Sequence, residues 1–504
     1  MLLGIDIGTS EIKAALVSED GCEMASVRSE YECDRPHPGF AEIDSELLWA
    51  SLCSTVRRLG AIAATADIRA AAFSVHGESF IAIDRNGRAV APAILNIDSR
   101  AAADMDEFVA AFGAATLYEK TGLPPHPMYT LPKIAWLRKH RPATADRASQ
   151  FLCLHDYLLF RITGSAVIDR SLASRTLGFN VVDAAWDQSL LAAAGVSCSQ
   201  MARVVTGGVP VGYALQEAAG DLGLPKSVLW VTGGHDQACC SLGSGGLIGG
   251  TAVDVTGTFE CISTATDGPL ISAASAKANI PCERHTVPTR FLSLTYTPGG
   301  AVVKWCRDQL ARDLLAAAVR GGDVYEMMLA AIPTEPTGLF FFPYFFGSGT
   351  PWLDPNARAV VFGLQFSTSR DSVIKAAIEG VSYEMRWNLE TLQRLGVPVD
   401  RVVAVGGGAK SREWLQLKAD IFGCEVVGLA GEAACRGAAI CAGVGCNVFS
   451  SFDDGVESLV PSGRSYEPLK TRLSRYQELF ERYKELAHQL YGFRLPEWIG
   501  PSHV

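Results

Sequence analysis

No run in this chain reaches the roughly 18 consecutive apolar residues that a membrane-spanning helix needs. The opening Met1-Leu2-Leu3-Gly4-Ile5-Asp6 has no positive residue ahead of its apolar stretch and carries an acid within it, which argues against a secretory signal. Basic tracts are missing too: the formal net charge is -10, and such a surface repels a phosphate backbone instead of releasing its counterions. No Cys-x-x-Cys pair occurs among the 14 cysteines, so neither a zinc site nor a disulfide framework is expected. Cys239-Cys240 and the trio Cys435, Cys441 and Cys446 lie in Ala/Gly-rich surroundings, where cysteine acts as a small core residue. These absences predict a cytoplasmic protein with reduced thiols, and they exclude nucleic acid and membrane as partners.

What is present suits a well-packed enzyme: 48% of residues are hydrophobic and 19% charged. At 504 residues the chain exceeds the roughly 250–300 at which one hydrophobic core stops growing, so at least two domains are expected.

The most informative stretch begins at Val228. An apolar run ends at Gly233-Gly234, exposes Asp236 and Gln237, and resumes as a small-residue segment able to form a helix. This pattern presents an acid at the mouth of a sheet, close to the middle of the chain and just before the Gly-rich residues 243–250. It marks Asp236 as a candidate catalytic base at the junction of two lobes.

The second signal is a hairpin. Leu2–Ile7 reads as a buried strand, Gly8-Thr9-Ser10 as a tight turn and residues 12–17 as the returning strand. Backbone N–H groups and hydroxyls at such a tip suit a phosphate, with Asp6 placed to hold the water shell of Mg²⁺ and Lys13 to add positive charge. A hairpin whose turn happens to be polar would look the same. The second half opens in the same way, as Ala252-Val253-Asp254-Val255-Thr256-Gly257-Thr258-Phe259, with Asp254 in the place of Asp6. Two such hairpins suggest a duplicated α/β unit with a nucleotide clamped between its halves.

Between them, residues 68–74 read as a strand ending at Val75-His76-Gly77-Glu78-Ser79, and polar groups just past a strand's carboxyl end stand where α/β sheets bind ligands. Asn96-Ile97-Asp98-Ser99-Arg100 offers an acid and a guanidinium suited either to hydroxyl recognition or to a structural ion pair. His155-Asp156-Tyr157-Leu158 opens a short helix, where the acid suits a cap. Residues 469–490 place Leu473, Tyr476, Leu479, Phe480 and Tyr483 on one face of a charged helix that is expected to pack back onto a lobe.

Taken in order, these stretches resemble the FGGY carbohydrate kinases, a branch of the actin-like ATPase superfamily, over nearly the whole chain. The pieces are Asp6-Ile7-Gly8-Thr9, His155-Asp156-Tyr157-Leu158, Asp169-Arg170-Ser171-Leu172-Ala173-Ser174 and Gly234-His235-Asp236-Gln237. Gly257-Thr258, Pro298-Gly299-Gly300-Ala301, Gly347-Ser348-Gly349-Thr350 and Gly406-Gly407-Gly408-Ala409-Lys410-Ser411 follow. The resemblance implies two actin-like (ribonuclease H-like) α/β lobes with an interlobe cleft for nucleotide and sugar. Residues 1–245 would form the lobe with the sugar site, the first phosphate loop and Asp236; residues 246–504 would form the ATP-binding lobe with the final helix.

It implies ATP and Mg²⁺ as cofactors and Asp236 as general base. Thr9, Ser10 and Lys13 match the first phosphate loop, although the last position is arginine in glycerol kinases. Thr258 matches the second loop, Gly300 a glycine lining the ATP cleft, and Gly407, Gly408 and Ala409 with Arg412 the purine-side loop. Asp6 is the metal-side acid.

On the sugar side, His76, Glu78, Asn96, Asp98 and Gln237 are the expected contacts, and here the chain departs from known subgroups. Gly77 stands where glycerol kinases have arginine and Met128 where they have tyrosine, while His76-Gly77-Glu78 replaces the Gln-Met-His of xylulose kinases. Asn96 replaces the tryptophan of the family's frequent Trp-x-Asp-x-Arg. A roomy polar pocket for a small uncharged ketose, deoxysugar or sugar alcohol is expected, its acidic lining disfavouring phosphorylated or carboxylated substrates. Two other classes share the fold: a non-catalytic sugar- or nucleotide-responsive binding protein, and an ATP-hydrolysing switch whose turnover ignores sugar. A homodimer is compatible with the sequence and is not required by it.

Overall fold

The computed structural model describes residues 1–318 and 323–493; positions 494–504 of the expected second lobe lie outside them. Two mixed sheets dominate. The first contains β1 (Leu2–Ile7), β2 (Glu11–Val17), β3 (Glu23–Glu30), β4 (Ala70–Val75), β5 (Pro210–Tyr213) and β6 (Leu229–His235), in the spatial order β5-β6-β4-β1-β2-β3. The second contains β7 (Thr251–Thr256), β8 (Phe259–Thr266), β9 (Cys282–Arg284), β10 (Phe291–Pro298), β11 (Arg401–Gly406), β12 (Glu425–Gly428) and β13 (Arg464–Tyr466), in the order β9-β10-β8-β7-β11-β12-β13.

The two sheets repeat one plan. β1, β2 and β3 run antiparallel in sequence and β4 and β6 add parallel strands on the other side of β1; β7, β8 and β10 with β11 and β12 do the same. The duplicated α/β unit expected from two short hairpins therefore extends to five strands in each half. The expected boundary at 245/246 falls in the turn segment between the helix Asp236–Leu242 and β7.

Strands covered on both faces must be apolar throughout, and β1 and β4 are buried at every position. One face is covered by α1 (Ser45–Ile62), started by Asp44, whose carboxylate accepts from the N–H groups of Glu46 and Leu47 at 2.8 and 3.1 Å. The other face is covered by α8 (Ala433–Gly445), which arrives from the second half of the chain to lie across β1, β4, β6 and the helix α4 (Asp236–Leu242). Its approach depends on missing side chains: a Cβ at Gly4 would sit 1.8 Å from the carbonyl oxygen of Cys435, and one at Gly437 would sit 1.9 Å from that of Cys239. The Ala, Gly and Cys residues of these segments thus pack as small core residues, and the described cysteines are free thiols.

Other elements used below are α2 (Thr130–His140), α3 (Leu154–Thr163), α5 (Gly300–Trp305), α6 (Arg370–Arg394), α7 (Arg412–Phe422) and α9 (Lys470–Tyr491). Asp156, in the first turn of α3, accepts from the backbone N–H of Cys153 at 3.0 Å, so the acid caps the helix. The final helix lies on the second lobe with Tyr476, Leu479, Phe480 and Tyr483 buried and Leu473 half-buried. Its tyrosines donate to acids of α6, Tyr476 to Glu379 at 2.9 Å and Tyr483 to Glu384 at 2.6 Å. No helix among the described residues is long and apolar enough to cross a membrane.

Candidate functional site

Register decides which residues meet. β1, β4 and β6 are parallel neighbours, with Ile7 opposite Val75 and Val75 opposite His235. Their carboxyl ends therefore bring Gly8-Thr9-Ser10, His76-Gly77-Glu78 and Asp236-Gln237 to one edge of the first sheet, although these segments lie far apart in the sequence. The second sheet does the same: Thr256 lies opposite Gly406, which sets Gly257-Thr258 beside Gly407-Gly408-Ala409. The N–H of Gly300 at the start of α5 donates to the carbonyl of Gly257 at 2.9 Å, and a Cβ at Gly300 would lie 2.3 Å from that oxygen. Arg412, exposed at the start of α7, lines a cavity of about 260 Å³ with Lys375 and Arg472.

Asp236 is the first residue of α4, directly after β6, and its half-exposed carboxylate lies 3.2 Å from Nε2 of the His235 ring. Its charge is felt in both halves. Burial pushes the carboxyl of Asp6 up to about 6, with Lys13 opposing and Asp236 adding to the rise; burial and then Asp236 push the thiol of Cys261, on β8, up to about 12. Asp236 thus stands within electrostatic reach of both hairpins. Gln237 beside it is half-buried, and its side-chain carbonyl has no protein partner.

At the first hairpin, Ser74 donates to Asp6 at 2.7 Å and the ammonium of Lys13 lies 3.9 Å from the same carboxylate and 3.6 Å from Glu432. Thr9 donates to the side-chain carbonyl of Asn96 at 3.3 Å, and Ser10 is exposed at the tip. An oxygen-only, anionic corner formed by Asp6 with the charge of Asp236 nearby fits Mg²⁺, which keeps much of its water and rests on one or two carboxylates and substrate phosphates. At the second hairpin, Thr258 is exposed at the tip and Gly408 is buried against Thr256.

Two of the five expected sugar contacts are occupied by the protein itself. Both ring nitrogens of the buried His76 are engaged, Nδ1 with the carbonyl of Ile7 at 3.0 Å and Nε2 with Ser79 at 2.8 Å, so this histidine ties β1 to β4 and has no nitrogen left for a sugar. Asp98 is likewise saturated. Its oxygens accept from the N–H of Ala41 at 2.6 Å and from Arg100 at 2.6 to 3.0 Å, while Arg100 also pairs with Glu42 and stacks on Phe40. Of the two readings of this acid, the structure builds the ion pair. Glu78, Asn96 and Gln237 remain at the site.

Glu78 sits at a φ of 65° and pairs with Arg175 at 2.5 Å. Burial alone would raise its carboxyl, but Arg175 outweighs it and holds the group below the ordinary carboxylate range. Arg175 in turn lies 3.4 Å from Glu283 of β9, and Glu283 lies 2.7 Å from Nδ1 of His235. Burial works against a charged His235, yet Glu283 and Asp236 outweigh it and push the ring up to about 9, so it is an imidazolium at neutral pH. Arg175, Glu283 and the role of His235 are absent from the sequence reading. Arg175 follows directly on the quoted Asp169-to-Ser174 piece, whereas nothing in the sequence around Glu283 singles it out.

Comparison with known proteins bears on this geometry. The model of the FGGY family of carbohydrate kinases, N-terminal domain, matches residues 1–243, and that of its C-terminal domain matches residues 252–446. The chain is 30% identical to a gluconokinase of Bacillus subtilis (strain 168), covering 97% of this chain and 96% of the relative. It is 26% identical to a xylulose kinase of Staphylococcus xylosus, covering 96% and 99%. Among solved structures, a xyloylose kinase from Brucella ovis superposes with a TM-score of 0.87 at 25% identity, covering 97% of this chain and 99% of that one.

Proposed function

The chain belongs to the FGGY family of carbohydrate kinases and is an ATP-dependent sugar kinase working with Mg²⁺, and from that premise we propose that it phosphorylates a hydroxyl of a small uncharged sugar or polyol with Asp236 as general base. The observation that carries this reading is the place of Asp236: at the carboxyl end of β6, with its charge felt at Asp6 in one hairpin and at Cys261 in the other.

In this reading the acceptor hydroxyl gives its proton to the Asp236 carboxylate as its oxygen attacks the γ-phosphorus in line, and the bond to the departing ADP oxygen breaks. Thr9, Ser10 and Lys13 face the phosphates from the first half. Thr258, with Gly300 and the loop Gly407-Gly408-Ala409 before Arg412, forms the nucleotide side. Asp6 would hold Mg²⁺, which when bound neutralises phosphate charge. Residues 1–245 and 246–504 act as the two lobes, closing on the ligands to exclude water that would otherwise accept the phosphoryl group.

The uncharged substrate class rests on how the cations are matched. Arg175 lies between Glu78 and Glu283, and His235 lies between Glu283 and Asp236, so each faces carboxylates already. Glu78, Asn96 and Gln237 are left to meet hydroxyls. A sugar acid is the second reading, favoured by the identity to a gluconokinase. Coupled ADP release over ketoses, aldoses, polyols and gluconate, each with a no-sugar control, decides. Turnover of neutral sugars is expected; turnover of gluconate alone would replace the substrate class, and sugar-independent ADP release would replace the kinase reading with the ATPase switch.

A further inference from the structure

Five charged side chains run in one line through the wall of the cleft, and only the two ends, Asp236 as base and Glu78 as a sugar contact, have a role so far. The order is Glu78, Arg175, Glu283, His235, Asp236, with successive contacts of 2.5, 3.4, 2.7 and 3.2 Å. The first four are buried, and Glu283, in the middle, is 0% exposed. A carboxylate in such a place costs several kcal/mol of desolvation, and a buried ion pair is weak evidence for stability, because well-packed apolar residues often do as well. The chemistry of the ring supplies another reason. His235 stands between two carboxylates, with Nδ1 hydrogen-bonded to Glu283 at 2.7 Å and Nε2 in ionic contact with Asp236 at 3.2 Å, and only an imidazolium carries N–H at both nitrogens. Its Nδ1 partner therefore fixes which way Nε2 points.

Glu283 is itself held firmly. Its strand, β9, belongs to the second sheet, and its neighbour Arg284 is stapled to the first half: the backbone N–H donates to Ser174 at 3.1 Å and the guanidinium to the carbonyl of Val181 at 2.7 Å. His235 and Asp236, by contrast, are carried on the first sheet.

We propose that Glu283 is a positioning residue for phosphoryl transfer: one carboxylate oxygen fixes the ring of His235, which aims Asp236, while the other makes the 3.4 Å ionic contact with Arg175 that continues the line to Glu78 on the sugar side. The inference rests on the reading of Asp236 as the base. It gives the second half of the chain a direct hold on a base that the first half carries.

The test is Glu283→Gln, with kcat, KM for ATP, the pH profile and thermal melting measured on the sugar that turns over fastest in the panel. The expected loss in kcat is on the order of 10–100-fold, the range for removing a group that orients another, with KM for ATP little changed. The alkaline limb should move to lower pH. Glu283 and Asp236 favour the proton on His235, Arg175 opposes it, and Glu78 lies beyond; removing the charge of Glu283 leaves the ring below its value of about 9. A residue needed only for folding would not move that limb. Wild-type kcat with an unmoved limb overturns the proposal. Should the variant fail to fold, His235→Gln must show the same kcat loss, and wild-type kcat there overturns the proposal instead. Asp236→Asn is run alongside: if it is active, the base assignment and this inference fall together, whereas an inactive Asp236→Asn beside a wild-type-like Glu283→Gln removes only the inference.

Discussion

The two hairpins have one backbone and opposite electrostatics. Each is a strand, a glycine-threonine turn and a returning strand, and each carries an aspartate shortly before the glycine, Asp6 ahead of Gly8 and Asp254 ahead of Gly257. Asp6 keeps partial access to the cleft, with Lys13 at 3.9 Å, itself shared with Glu11 and Glu432. Asp254 is fully buried, and Lys418 of α7 reaches it at 2.5 Å, Glu260 at 2.9 Å and Thr256 at 3.1 Å. Burial, then the charge of Asp254, push the carboxyl of Glu260 upward against the pull of Lys418, so the cluster is close to neutral. The two halves thus share a frame; Asp6 of the first lies at the corner proposed for Mg²⁺, and Asp254 of the second is part of an internal brace between its hairpin and α7.

The comparison breaks most sharply at the base. Asp236→Asn removes the charge that both hairpins feel, and turnover should drop roughly 10²–10⁴-fold, as for a removed general base, while ATP and sugar still bind. Equilibrium binding and kcat measured on the same preparation check this, and an unchanged kcat takes Asp236 out of the mechanism.

Next in size is the brace. Lys418→Met leaves Asp254 buried without its cation, which should cost about 3–5 kcal/mol of stability, read as a fall in the denaturant midpoint. A first hairpin treated the same way, as Lys13→Met, should lose less stability because Lys13 is partly exposed and shared with Glu11 and Glu432, and the loss there should appear as weaker ATP binding. Equal destabilisation of the two variants would erase the contrast.

Asp6 allows the opposite sign. Its carboxyl is raised from 3.8 to about 6, so the folded protein holds a proton that the unfolded chain has released. The ionised group therefore costs stability, with no cost below pH 3.8, a growing one through the window, and the full amount above about pH 6. Asp6→Asn should stabilise at pH 7 by on the order of 2–3 kcal/mol and show no gain near pH 3.8, while needing more Mg²⁺ for half-maximal rate. A variant that melts lower at pH 7 would contradict the sign.

How much of this was legible in the sequence follows from the distance over which each interaction acts. Hairpins, the strand-to-helix turn at Asp236 and the glycine loop are local patterns, so both glycine-threonine hairpins and Asp236 stood out before any fold was known. Parallel neighbours then follow from the fold class, which carried Glu78 and Asn96 to the same edge. Partners fixed only by packing were not legible. Lys418 lies 164 residues from Asp254 and Glu283 lies 48 from His235, and no spacing rule links them. The protein partners of His76 and Asp98 were hidden for a related reason: a polar residue beside a strand end looks the same whether it meets a ligand or a neighbouring backbone, and only the filled positions around each side chain tell them apart.

The tips give the smallest and finest test. Thr9 is half-buried and donates to Asn96, whereas Thr258 is exposed. If the tips differ as their aspartates do, Thr9→Val should lose about 0.5–1.5 kcal/mol of stability, the net worth of one hydrogen bond, and Thr258→Val should stay within about 0.5 kcal/mol of wild type, as exposed positions do. Both changes remove one hydroxyl from a turn proposed to face phosphate, so both should raise KM for ATP if the tips share one ligand. Melting curves separate the anchored tip from the free one, and the paired KM values ask whether two halves that are braced so differently still hold the same nucleotide.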